Sequence, residues 1–147
     1  VRFGDLVSTW ESYGEDDPLC AVLTDPTKKG NRWDSQDFLE TGRKQVERFF
    51  QLCERTGQSL SGSALDFGCG AGRLSHPLCQ RFDRVVGIDV SAPMIAKAQE
   101  IQPQGSCAQF AVNPKPDLSL FGDREFDYVQ TVLVLQHMHP EYQQNYL

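Results

Sequence analysis

The longest uninterrupted apolar run in the sequence is Leu19 to Leu23, far short of the roughly 18 residues a membrane-spanning helix needs. Cysteine pairs are missing too. Cys20, Cys53, Cys69, Cys79 and Cys107 are odd in number and widely scattered, and none forms a Cys-x-x-Cys pair. Neither a zinc ribbon nor a disulfide framework is favoured, with a single buried bridge as the open alternative, so a reducing, cytoplasmic setting with no bound metal is expected. Basic residues are few, 14 Lys and Arg against 20 Asp and Glu, and the net charge of −6 argues against nucleic-acid backbones and anionic membranes as partners. The start, Val1-Arg2-Phe3-Gly4-Asp5, has neither the basic nor the apolar region of a signal peptide, and a first residue other than methionine suggests a processed or trimmed chain. There is no internal repeat and no low-complexity tract. What the 147 residues do contain, 39% hydrophobic, 10% aromatic and 23% charged, is the composition of one globular domain.

Punctuation along the chain divides it in two. Gly4, Gly14, Pro18, Pro26 and Gly30 break up the first thirty residues, which read as a mostly irregular arm. A helix over 35–55 follows: Asp34 caps it, Asp37 stands three residues on, Trp33 and Phe38 occupy staple positions, and Gly57 ends it. Strands are expected at 64–68, 84–89, 107–112 and 126–133, with helices at 73–81 and 92–100 between the first three. Ser91 caps the second of these helices and Pro93 sits in its first turn, whereas Pro77 would bend the first unless it starts late. Strands alternating with helices imply a parallel sheet with right-handed crossovers.

The densest chemistry lies in Leu65-Asp66-Phe67-Gly68-Cys69-Gly70-Ala71-Gly72-Arg73-Leu74, a strand running into three alternate glycines and then a helix. Without Cβ atoms the chain can turn sharply and let a ligand approach the backbone, although an ordinary tight turn would use the same residues. The dinucleotide fingerprint wants a glycine at position 73, where this chain has Arg73. Asp89 ends the next strand, 17 residues past Gly72, where a carboxylate can accept hydrogen bonds from both ribose hydroxyls of an adenine nucleoside. Loop and acid together point to an adenosyl ligand.

These residues resemble the class I S-adenosylmethionine-dependent methyltransferases, in particular their small-molecule branch. The first motif reads Asp66-Phe67-Gly68-Cys69-Gly70-Ala71-Gly72, the second Gly87-Ile88-Asp89-Val90-Ser91-Ala92-Pro93-Met94. The fourth reads Phe126-Asp127-Tyr128-Val129, followed by Leu133-Val134-Leu135-Gln136-His137-Met138. The likeness covers 64–139. It implies an α/β, Rossmann-like parallel sheet in the order 3-2-1-4 behind an N-terminal helical arm, with S-adenosyl-L-methionine as cofactor and a small-molecule methyl acceptor. Asp66 would hold the methionine amino group, the backbone of Gly68, Gly70 and Gly72 would pass under the methionine portion, and Asp89 would bind the ribose. Val90 and Met94 would pack on the adenine, a role compatible with core packing, and Gln130 and Thr131 would lie near the sulfur.

The third motif departs from the family pattern. Where the family places an acid for the adenine amino group, this chain has Asn113-Pro114-Lys115-Pro116-Asp117-Leu118, leaving Asn113 or Asp117 to serve, unless the prolines simply stiffen the loop. No catalytic dyad is evident; His137 and His139 are the nearby imidazoles, with a framework role as the alternative for both, and His76 reads as a surface or packing residue. The resemblance also implies that residues 1–57 form a cap over a cofactor domain at 58–147, with Gly42 and Arg43 facing the site; close helix packing is the alternative for Gly42. A noncatalytic cofactor-binding module and an NAD-dependent oxidoreductase are the competing readings. Against the family pattern the chain is expected to be truncated after the fourth strand and two terminal helical turns, leaving that strand's edge open to self-association and turnover incomplete.

Overall fold

The structure, a computed structural model, describes residues 2–146. Its centre is a four-stranded, fully parallel sheet: β1 (Ser63–Phe67), β2 (Arg84–Asp89), β3 (Ala108–Val112) and β4 (Tyr128–Gln130), in spatial order β3-β2-β1-β4. The 3-2-1-4 expectation is met. Each parallel step requires a crossover, supplied by α4 (Ser75–Leu78) after β1 and α5 (Ala92–Glu100) after β2.

The sheet is covered on both sides, as a parallel sheet must be. On one side Ala64, Val85 and Ala108 pack with Leu74 and Leu78 and with Val46 and Phe50 of α3 (Ser35–Arg55). On the other, Leu65, Phe67, Val86 and Ile88 meet Leu6 of α1 (Phe3–Asp16) and Met138 from the segment after β4. The period-2 alternation of the strands produces this division directly. Burying one such aliphatic or aromatic side chain contributes about 1.5–3 kcal/mol.

Local signals explain the helices. Asp34 accepts from the amides of Gln36 (2.9 Å) and Asp37 (3.0 Å) to start α3, and the Trp33 and Phe38 rings meet edge to face at 5.9 Å. Ser91 accepts from Met94 N at 3.3 Å to cap α5. α3 and α5 have the expected bounds.

Four expectations need correction. The first thirty residues are not irregular: α1 and the short α2 (Pro18–Val22) occupy most of residues 3–22. Gly14 is a contact rather than a break, because a Cβ there would stand 2.9 Å from Pro93 Cβ and Ser91 Oγ at the start of α5. The crossover at 73–81 is helical only over Ser75–Leu78, since Pro77 lacks the N–H that would pair with the Arg73 carbonyl. β4 is three residues long; the chain leaves the sheet after Gln130 and reaches a left-handed conformation at Leu133 (φ 61°). Finally, Cys79 and Cys107 are joined as a disulfide, with Cα atoms 5.6 Å apart, tying the end of α4 to the start of β3. Cys20, Cys53 and Cys69 are free, as expected of scattered cysteines. The chain's C-terminal turns comprise α6 (Pro140–Gln143) and a 3₁₀ turn at Gln144–Tyr146; Leu147, like Val1, lies outside the described residues.

Candidate functional site

A cleft of about 910 Å3 opens above the C-terminal ends of β1, β2 and β4, where open parallel sheets place their ligands. Its floor is the glycine loop and the tips of β1 and β2. One wall comes from α1 and α2, the other from residues 132–138.

The loop is held by its own backbone. Gly68 and Cys69 both donate to the Ile88 carbonyl (2.8 and 2.9 Å), Gly70 donates to Asp89 Oδ2 (2.9 Å), and Gly72 donates to the Cys69 carbonyl (2.9 Å). Gly68, Gly70 and Gly72 have φ values of 73°, 52° and 77°, the left-handed region glycine adopts without penalty. A Cβ at Gly70 would come within 2.6 Å of Val22 Cγ2, so the absent side chain also lets α2 close over the loop. Gly68 and Gly70 line the cleft; Gly72 lies beneath it, against Phe110 and His76.

Two carboxylates sit at the strand ends. Asp66 is buried, with Oδ2 accepting from Ser75 Oγ (2.6 Å) and Oδ1 from Gln130 Nε2 (3.0 Å). Burial pushes its carboxyl above the ordinary range, and the hydrogen bonds from Ser75 and Gln130 oppose that rise. Asp89, half-buried, accepts from Gly70 N through Oδ2 and from Ser91 N through Oδ1 (2.9 Å each). Burial raises its carboxyl too, against those backbone donors. A carboxylate oxygen accepting one hydrogen bond retains a lone pair for a ligand.

The remaining candidates divide. Val90 and the fully buried Met94 line the cleft, as does buried Asn113, but the Asn113 amide closes its own loop, donating to Asp117 O at 2.8 Å. Asp117 is turned away: its Oδ1 accepts from Ser119 N (2.9 Å), and it is not part of the lining. Gln130 reaches the site through Asp66, and Thr131 is exposed outside the lining. His137 lines the cleft with its ring edge to face with Trp10 at 5.3 Å; His139 lies outside it, at the start of α6, 3.8 Å from Glu141. Arg43, expected to face the site, pairs instead with Glu40 and Glu47 on the outer side of α3. Gly42 serves close packing, since a Cβ there would collide with the Arg73 carbonyl. His76, buried below the loop with its basicity pushed down to about 4, stays neutral near pH 7.

Sequence reasoning missed the depth of the α1 and α2 wall. Trp10, Tyr13, Val22 and Leu23 all line the cleft, and Ser91 Oγ donates to the Trp10 carbonyl (3.0 Å), tying the wall to the loop that carries Asp89. The spacing of Trp10 and Tyr13 was the available signal, masked by the flanking glycines. Among the described residues no cluster of three or more His, Cys, Asp or Glu could hold a metal.

Comparison with known proteins bears on this cleft. A family model described as a methyltransferase domain matches residues 64–147. The chain is 38% identical over 137 residues to 2-methyl-6-phytyl-1,4-hydroquinone methyltransferase of Synechocystis, covering 90% of this chain and 43% of that protein. It is 36% identical over 95 residues to an uncharacterized methyltransferase of the same organism, covering 64% of this chain and 43% of that one. The chain thus spans less than half the length of either curated relative. Among solved structures, magnesium protoporphyrin IX methyltransferase from Synechocystis with bound S-adenosylhomocysteine superposes with a TM-score of 0.66 at 25% identity, over 97% of this chain and 63% of that one.

Proposed function

This chain belongs to the class I S-adenosylmethionine-dependent methyltransferase family, and on that premise we propose that its cleft binds S-adenosylmethionine and presents the methyl group to a small-molecule acceptor. The observation that carries the reading is Asp89: a carboxylate at the tip of β2, held by Gly70 N and Ser91 N, with a free lone pair on each oxygen for the ribose hydroxyls. Asp66 takes the ammonium, Val90 and Met94 the adenine face, and Asn113 closes the adenine end. The glycine loop serves by shape, giving the amino-acid end close approach to backbone. The volume of the cleft lies within the roughly 300–1,000 Å3 of small-molecule sites.

When bound, the cofactor supplies a methyl group on a sulfonium, activated for in-line displacement by the acceptor. The protein's part is positioning and exclusion of water. The wall formed by α1, α2 and residues 132–138 provides both, and residues 1–57 act as its cap. Of the candidate imidazoles, His137 lines the cleft where an acceptor proton could be received, whereas His139 stands outside it, and a base is needed only for an acceptor that arrives protonated.

The glycine loop speaks against a nicotinamide dinucleotide. The dinucleotide fingerprint wants a glycine where this chain has Arg73, and the helix after the loop, α4, has only four residues. A cytoplasmic location belongs to the same proposal, although the Cys79–Cys107 bond removes the cysteine argument for it; separately, among the described residues no helix is long and apolar enough to cross a membrane. Transfer of label from methyl-labelled S-adenosylmethionine to pools of small molecules, with protein and nucleic acid as parallel acceptors, tests the reading. Label in small molecules is expected; label only in macromolecules would contradict the acceptor class, and none in any pool would leave a noncatalytic binding module.

A further inference from the structure

Resting on the methyltransferase reading above, we infer that Leu133 is the acceptor-facing contact of the cleft and that it selects an uncharged, apolar methyl acceptor. Three observations meet at this residue. Its side chain is 65% exposed, the highest value of any large hydrophobic residue among those described, and it lies in the lining of the cleft. Its neighbours belong to the core: Val132 packs on the α3 side of the sheet, Val134 and Leu135 on the α1 side, and Leu133 on neither. Its backbone is left-handed (φ 61°), a conformation that a Cβ disfavours and that bulky residues rarely adopt.

Folding alone gives no reason for this combination, since glycine or asparagine would fit the turn better and leave no leucine in water. The turn has a use in the cleft. It sets Val134 on the glycine loop, where a Cβ at Gly68 would collide with it, and leaves Leu133 in the lining one residue away. Gly68 underlies the methionine portion of the cofactor in the reading above, so Leu133 stands at the end that carries the methyl group.

The rest of the lining favours a ligand without charge. Trp10 stands between Tyr13 and His137, with ring centroids 5.5 and 5.3 Å away, so a row of rings borders the α1 wall. Most charges there are already engaged. Asp17 accepts from Gly30 N (2.7 Å) and Asn31 N (3.0 Å), and Asp25 accepts from Thr27 N (2.9 Å) and Thr27 Oγ1 (2.7 Å). Arg73 donates to Thr41 Oγ1 (3.3 Å) and Gln45 Oε1 (2.9 Å) of α3. Asp16 and Lys29 remain, opposite in sign and exposed, where a charge keeps its water. Apart from Asp66 and Asp89, which the cofactor takes, no lining group among the described residues is set to hold a charged acceptor.

Fluorescence titration with N-phenylnaphthylamine, an uncharged dye, and with its anionic sulfonate tests this on protein saturated with S-adenosylhomocysteine. Wild type is compared with Leu133→Asn, Leu133→Lys and Leu120→Asn. Leu120 is also exposed but lies outside the lining, so its replacement reports the effect of losing apolar surface elsewhere. Leu133→Asn should weaken the uncharged dye about 10-fold, while its denaturation midpoint holds or rises because asparagine accepts the left-handed turn. Leu133→Lys should shift the ratio of the two affinities at least about 10-fold towards the sulfonate, and Leu120→Asn should change neither. Wild type that does not bind the uncharged dye would overturn the assignment, as would a loss in Leu133→Asn below about twofold or no larger than that in Leu120→Asn. An unchanged ratio in Leu133→Lys would also overturn it. So would a Leu133→Asn protein that loses stability or fails to fold, because Leu133 would then be holding the wall together. If S-adenosylhomocysteine itself does not bind, the cofactor reading falls, and this assignment with it.

Discussion

The two sides of the cleft are built on different terms. On the β1–β2 side the amides of Gly68, Cys69, Gly70 and Gly72, both oxygens of Asp66 and both of Asp89 are paired, and the glycines stand where a Cβ would meet neighbouring side chains. On the β4 side the strand lasts three residues, Val129 is 54% exposed, Leu133 is 65% exposed, and the chain runs on as an apolar wall with few polar ties. A site with preset polar groups recognises one ligand closely. A loosely tied apolar wall can be reshaped to accept many, which suits a cofactor common to a family on one side and a variable acceptor on the other.

That contrast can be broken most sharply at Asp89. Asp89→Ala removes the ribose acceptor and leaves Gly70 N and Ser91 N without a partner, so affinity for S-adenosylhomocysteine should fall about 10–100-fold by calorimetry. Gly70→Ala comes next. A left-handed φ of 52° costs a non-glycine residue about 1–2 kcal/mol and Val22 must also move, so the denaturation midpoint should drop by that amount or more, with cofactor affinity falling alongside. On the β4 side neither penalty exists. Val129→Lys should change stability by less than about 0.5 kcal/mol, leave cofactor affinity unaltered and, if β4 pairs between molecules, reduce self-association in sedimentation.

The same asymmetry gives a pH dependence with two signs. Burial sets Asp66 and Asp89 above the ordinary carboxylate value near 3.9, against hydrogen bonds that pull the other way. A carboxyl raised in the folded state favours folding below its unfolded value and loses that contribution as pH rises through the folded value. Acidification from neutrality therefore costs no stability through these two groups, yet it protonates the groups the ligand needs. Asp127 and Glu125, near the start of β4, are lowered by hydrogen bonds from Ser63 and from Gly122 and Arg84, so they stabilise above their unfolded values and lose that contribution as pH falls through the lowered ones. Cofactor affinity should weaken on acidification before the melting temperature does; a titration in which melting temperature falls first would contradict this. Gln130→Leu sharpens the point with a smaller effect, since loss of its hydrogen bond to Asp66 should move the affinity decline to higher pH.

What the sequence disclosed follows from the range of the interactions involved. α3, β2 and α5 were legible to the residue because Asp34 and Ser91 are local caps and because the strand's apolar run is short and bounded. The glycine loop and Asp89 were legible because their chemistry is written in consecutive residues. α1 was not, because Gly14 looks like a break until α5 is packed against it. β4 was read too long because Val132 and Leu133, apolar like strand residues, line the cleft after the chain has left the sheet. The Cys79–Cys107 pairing and the setting of Arg73 against Thr41 and Gln45 depend on elements 28 or more residues apart, which spacing alone does not bring together.

The most direct measurement is a calorimetric titration of the purified chain with S-adenosylhomocysteine and, separately, with NAD. Saturable one-site binding of S-adenosylhomocysteine with no detectable heat from NAD is the predicted result. Binding of NAD alone, or of neither ligand, would contradict the assignment of this cleft.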